Sequence, residues 1–191
     1  RVIVDGGLPE FQTDPANAWT PYADGGEGEY VSTRTYRNIR DVVGLFADSN
    51  IGLQTYWDLE SFRASDVFGD PRYPPRRPGE MLNGYCGPGL WYNKLTGRIH
   101  VRLAHTHLPE LPTYNYKDYN YRGETDPRKM PLVVAPFAST PLTVDQAMRV
   151  RFQDLVLRGG GYKTVNLIFG IGIEFDNCTI YCGTYGVWAK N

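Results

Sequence analysis

Cysteine is scarce in this chain: Cys86, Cys178 and Cys182 are the only three in 191 residues. An odd number closes no complete disulfide framework. Cys178 and Cys182 lie four apart with no second such pair, a poor zinc signal. The expectation is that Cys178 is a small core residue and that Cys182 sits in a turn. Excess charge is also missing, since 20 Lys+Arg against 21 Asp+Glu leave a formal −1. That balance offers no basic surface to attract phosphates, so no nucleic-acid partner is expected. No apolar run approaches the roughly 18 residues of a membrane span, so none is expected either. An initiator Met is absent. The chain opens at Arg1 and reads as a processed product, an internal fragment or a trimmed version, with a removed signal peptide compatible.

What is present is turn-forming and aromatic. Gly 21 and Pro 14 favour β structure with many bends over a helical bundle, and 14% aromatics supply a packed core and argue against disorder. Residues 1–30 run through Asp5-Gly6-Gly7, Pro9, Asp14-Pro15, Pro21 and Asp24-Gly25-Gly26, leaving Val2-Ile3-Val4 as the one readable strand. Val42 to Ala47 and Ile51 to Tyr56 flank Asp48-Ser49-Asn50 as a hairpin. Asp58 to Ala64 reads as a short helix capped by Asp58. Residues 69–80 carry four prolines and read as a loop or polyproline segment. Leu90-Trp91-Tyr92 and Ile99 to Leu103 bracket a second hairpin turn, with His100 and Arg102 on one face and Ile99, Val101 and Leu103 on the other. Ala104 to Met130 is a long polar, Tyr-rich loop.

Beyond Pro131 the sequence repeats itself. Pro131-Leu132-Val133-Val134, Asp154-Leu155-Val156-Leu157 and Asn177-Cys178-Thr179-Ile180 start 23 residues apart. A second strand recurs as Leu142-Thr143-Val144, Val165-Asn166-Leu167 and Val187-Trp188-Ala189. The first and third residues of these six strands are all apolar in a chain that is 41% hydrophobic. Val150-Arg151-Phe152 and Ile173-Glu174-Phe175 supply a third strand, each followed by Asp154 or Asn177, residues that tolerate a left-handed bend. Three short strands per 22–23 residues describe coils of a parallel β-helix. A leucine-rich repeat has a similar period but needs a Leu-dense strand motif that is missing. The expected fold is therefore all-β. It places an N-terminal cap region of hairpins and long loops with one short helix over 1–130, and about two to three coils over 131–191.

The stretch Met148 to Gly161, continued by Ile173 to Ile180, resembles the right-handed parallel β-helix proteins of pectin-lyase-like fold. Gly89 to Val101 is similar to the hairpin that precedes the first coil in many secreted bacterial members. The resemblance covers roughly residues 40–191. It implies an extracellular or cell-surface location and a family of polysaccharide lyases, glycoside hydrolases, epimerases, phage tailspikes and adhesins. Catalytic residues there commonly lie on the outer face of middle coils. A solenoid ending at Asn191 would leave open strand edges, so further chain, a domain or a partner subunit is expected to cover the last coil.

Several side chains offer site chemistry. Tyr114, Tyr116, Tyr119 and Tyr121 alternate with polar residues and suit stacking on sugar faces, or sealing of the long loop. Arg72, Arg76 and Arg77 suit the carboxylates of an acidic polysaccharide, or a solvated loop. His105 and His107, with His100 nearby and Glu110 downstream, are the candidate ligands of a divalent metal; no other cofactor is evident. Asp118, Glu124, Asp126 and Arg128 are of lyase and hydrolase type, with no catalytic pair assigned. Asn177-Cys178-Thr179 matches a glycosylation sequon, but its alignment with Asp154 favours a structural Asn. The expected function is a secreted or cell-surface carbohydrate-active protein acting on or holding polysaccharide. The alternative is a non-catalytic structural or adhesive module of a surface layer, fibre or larger assembly.

Overall fold

Short β-forming runs separated by turn residues make an all-β chain with only brief helices. The computed structural model describes residues 1–37, 39–48, 51–64, 84–105 and 123–190. Strand β1 (Val2–Asp5) is followed by helical turns α1 (Glu10–Thr13) and α2 (Pro15–Ala18), then β2 (Trp19–Pro21), β3 (Glu29–Ser32), β4 (Val42–Phe46) and β5 (Gly52–Tyr56). After α3 (Leu59–Arg63) come β6 (Gly89–Asn93), β7 (Arg98–Arg102), a 3-10 turn at Pro127–Lys129, and β8 (Leu132–Pro136).

Seven of these strands form one sheet in the order β2-β3-β7-β6-β5-β4-β8. Every neighbouring pair is antiparallel except β5 and β6, which run parallel with Gln54 opposite Gly89. Strand alternation sends Leu90, Tyr92, Ile99, Val101 and Leu103 into one core with Phe11 and Trp19. The opposite face carries Trp91, His100 and Arg102, and Phe62, Tyr56 and Tyr85 cover it. Both faces are thus roofed, one by α1 and α2, the other by α3. The Asp58 carboxylate accepts the Ser61 N–H at 2.7 Å and caps α3, as the sequence indicated.

The C-terminal strands are β9 (Leu142–Asp145), β10 (Arg151–Gln153), β11 (Leu155–Arg158), β12 (Lys163–Ile168), β13 (Glu174–Asp176), β14 (Thr179–Ile180) and β15 (Tyr185–Lys190). They pair in parallel within three small sheets, ordered β1-β11-β14, β10-β13 and β15-β12-β9. Val165 lies between Leu142 and Val187, and Phe152 lies beside Phe175 with ring centroids 5.1 Å apart. Asp154 and Asn177 take the left-handed bend at φ 58° and 50°. The Asn177 side-chain amide donates to the Asp154 carboxylate at 2.5 Å and its oxygen accepts from Arg1 at 2.6 Å. Asn177 is a structural residue here.

The structure corrects the expected solenoid from Pro131 onward and the pectin-lyase-like resemblance that went with it. Leu132–Pro136 is not a rung: it pairs antiparallel with β4, from Val42 opposite Pro136 to Phe46 opposite Leu132. The place beside β11 belongs instead to β1, with Val2 opposite Leu155. The reason lies in burial. Leu132, Val133, Val134 and Ala135 are all fully buried, so this strand is covered on both faces. A coil strand would alternate between interior and solvent. Much of the span 40–191 therefore belongs to a mixed sheet, and apart from the β5–β6 pair the parallel pairing is confined to β1 and residues 142–190.

Candidate functional site

The antiparallel register of β3 and β7 sets Glu29 opposite Arg102 and Val31 opposite His100. Glu29 and His100 are therefore diagonal neighbours on one face of the sheet, within side-chain reach. Glu29 Oε1 meets His100 Nδ1 at 2.7 Å, and the side chain of Glu29 is wholly buried. Arg63, at the end of α3, closes on the same carboxylate with Nε and Nη2 both at 2.8 Å, a bidentate pair. The Gly26 N–H adds a fourth bond at 2.7 Å. Burial alone would raise the Glu29 carboxyl, but the His100, Arg63 and Gly26 hydrogen bonds outweigh it and hold the group below its ordinary value. An ionised Glu29 makes Nδ1 the donating nitrogen of that contact and leaves Nε2 as the ring nitrogen not engaged by it.

Aromatic rings fix that imidazole. Trp91 lies 4.9 Å from it across the β6–β7 pair, and Tyr22 meets it edge-on at 5.1 Å. Beside His100 opens a recess of about 380 Å3 lined by Thr20, Pro21, Tyr22, Val31, Asn93, Thr96, Arg98 and His100. Arg102 faces the same way but is spent on structure. Its Nη1 donates to the Phe62 and Ala64 carbonyls at 3.1 and 2.9 Å, its Nε donates to Glu27 at 3.1 Å, and its guanidinium covers the Tyr85 ring at 3.8 Å.

A second constellation gathers rings from the turn after β8, the residue before β12, and β15. Phe137, Tyr162, Tyr185 and Trp188 form a run of rings with successive centroids 5.2, 5.1 and 4.9 Å apart. All four reach solvent. Lys163 stands 5.1 Å from the Trp188 ring and donates to Asn166 at 3.1 Å, and Arg40 lies 4.9 Å over Phe137. In the strand register Trp188 is beside Asn166, which is beside Thr143, so polar groups flank Trp188 on its face of the sheet.

The candidates from the sequence fall elsewhere. Tyr114, Tyr116, Tyr119, Tyr121, Arg72, Arg76, Arg77, His107, Glu110 and Asp118 lie outside the described residues. His105 bonds the Gly123 carbonyl at 3.2 Å, away from the buried His100. Among the described residues no three His, Cys, Asp or Glu side chains gather as metal ligands. Asp126 is tied to Arg128 by two bonds of 2.9 and 2.7 Å, chiefly through which its carboxyl falls to about 2. Glu124 pairs with Lys129 at 3.4 Å. The described cysteines are all unpaired thiols, and burial pushes Cys182 up.

Sequence reasoning missed Tyr22 and Arg98 in the recess and Glu29 and Arg63 behind His100, and it missed Phe137, Tyr162, Tyr185 and Trp188 as an aromatic run. A signal for the first group existed: a strand that turns a His and an Arg to one face needs a carboxylate opposite, and Glu29-Tyr30-Val31 has the period to supply it. For the second, Tyr162 and Tyr185 stand 23 apart in the repeat.

Among known proteins the chain matches no family, no curated sequence and no solved structure. Together with the mixed sheet, this removes the family assignment. Among the described residues no helix is long and apolar enough to cross a membrane.

Proposed function

We propose that this chain is a secreted or cell-surface protein that holds polysaccharide on the aromatic run of its C-terminal sheets. One observation carries the reading: Phe137, Tyr162, Tyr185 and Trp188 lie ring after ring on a solvent-facing surface, with Lys163, Asn166 and Thr143 alongside. Sugar rings present apolar faces that pack on aromatics, and their hydroxyls need polar neighbours at the rim. Successive ring centroids 5.2, 5.1 and 4.9 Å apart form a continuous aromatic surface, which suits an extended chain.

The finer architecture belongs to this proposal too. The offsets of 22–23 residues between paired strands from β9 onward, with matching bends at Asp154 and Asn177, support short parallel coils over residues 142–190. Such coils would be a rigid backing for the rings.

An array of immobilised plant, bacterial and algal polysaccharides, probed with the whole chain, tests the reading. Retention on at least one neutral or acidic polysaccharide that disappears in Trp188→Ala is expected. Uniform absence of retention overturns it.

A second reading, a structural or adhesive module, draws on a different observation. Met148, Phe169, Ile171 and Val187 are exposed, and β13, β14 and β15 are the outermost strands of their sheets among the described residues. Open edges of this kind invite assembly. Light scattering and electron microscopy that reveal filaments or layers, with no retention on any glycan, would favour it.

A further inference from the structure

We propose that the recess beside His100 binds a hydroxycarboxylate, taking the carboxylate on Arg98 and a hydroxyl on His100 Nε2. This site is separate from the aromatic run and stands or falls independently of it.

Charge comes first. Among the described residues, Arg98 is the one ionic side chain lining the recess besides His100, and no carboxylate lines it. Glu29, which bonds the Nδ1 side of the imidazole, is committed to Arg63, to Gly26 and to His100 itself. The field inside is therefore that of an uncompensated guanidinium. Arg98 is anchored by a single bond, Nη1 to the Ser32 carbonyl at 3.1 Å. The rest of its planar fork is left to match a carboxylate.

Hydrogen-bond polarity then narrows the ligand. The Asn93 oxygen accepts from the N–H groups of Leu95 and Thr96 at 3.0 and 3.2 Å, so its amide NH2 is the part that can serve a ligand. Arg98 and Asn93 are both donors, as a carboxylate needs. His100 is different: Nδ1 is engaged with Glu29, so Nε2 is the ring nitrogen left for a ligand. A hydroxyl beside the carboxylate, able both to donate and to accept, suits that nitrogen. Tyr22, Pro21 and Val31 supply an apolar wall for the carbon skeleton. The volume of about 380 Å3 falls among small-molecule sites, which run roughly 300–1,000 Å3.

Two sources share this chemistry, a free small hydroxy acid and an acidic sugar. Nuclear magnetic resonance titration of the His100 imidazole nitrogens in the full chain at pH 7 separates them, with glycolate, glucuronate, acetate and glucose as probes. Both hydroxy acids are expected to shift the Nε2 resonance in a saturable way, acetate at least threefold more weakly, and glucose not at all. Tighter binding of glucuronate than glycolate points to the sugar, and the reverse order to the free acid. Arg98→Gln, checked for folding by circular dichroism, is expected to weaken both acids by about tenfold or more. The proposal is overturned if glucose and the acids act alike, or if folded Arg98→Gln binds the acids as the wild type does. The probe comparison in the wild type decides the matter even where the variant does not fold.

Discussion

Glu29 concentrates more of the fold's polar stability than any other described side chain, because four donors converge on one buried carboxylate. Removing one partner from a buried ion pair strands the other, at a cost of roughly 3–5 kcal/mol. Glu29→Ala is accordingly expected to lower the melting temperature by on the order of 10 °C, read by calorimetry, given about 2–4 °C per kcal/mol at this chain length. The carboxyl is held below its ordinary 4.5 in the folded state. The unfolded chain therefore binds the proton more readily. The contribution is full above the ordinary value and is lost as pH falls through the lowered one. Acid titration of stability should show a limb below about pH 4.5 that is shallower in Glu29→Gln. A limb unchanged by that substitution would mean that the carboxylate is not the group responsible. None of this was legible from residues 1–30, which read as turn after turn. The strands β2 and β3 hold only three and four residues, too few for alternation to register between Pro21 and the glycines around Gly26.

Elements in this chain are held by single side chains at their ends. Arg102 ties the last carbonyls of α3 to the sheet and stacks on Tyr85. Arg102→Met should free α3 and destabilise by about 3 kcal/mol through unpaired buried carbonyls. Hydrogen exchange should then speed up in residues 59–64 before the strands; equal protection in both proteins would contradict that role. In the parallel sheets the bends do similar service. Asn177→Val loses the bond to Asp154 and places a β-branched residue at φ 50°, costing about 1–3 kcal/mol. Asn177→Gly should cost clearly less in the same denaturant titration. Gly161 leaves no room for a methyl group, since a Cβ would strike the Pro136 carbonyl and the Phe137 Cα. The hairpins of β4–β5 and β6–β7 and the capped α3 were readable, because each is a local pattern with its own turn or cap. Strand β8 misled for a physical reason: Leu132-Val133-Val134-Ala135 has the same apolar run as Leu155-Val156-Leu157, and only its burial on both faces sets it apart. Its replacement by β1 beside β11 joins residues far apart in sequence, and three apolar residues cannot announce such a partner.

At the scale of the whole molecule, a mixed sheet with both faces covered carries the recess, and parallel strands carry the aromatic surface. Strands link the two parts: β1 joins the parallel side from the N-terminus, and β8 joins the mixed sheet from beyond residue 130. The 23-residue repeat made the parallel pairing of β9, β12 and β15 legible, while the aromatic run depends on which side chains share a face across strands. The central claim is that these rings hold polysaccharide. Isothermal titration of the polysaccharide retained on the array, against wild type and the double variant Tyr162→Ala, Trp188→Ala, tests it most directly. The account predicts at least a tenfold loss of affinity, about 1.4 kcal/mol, with the melting transition of the mixed sheet retained. Equal affinity in the two proteins would contradict it.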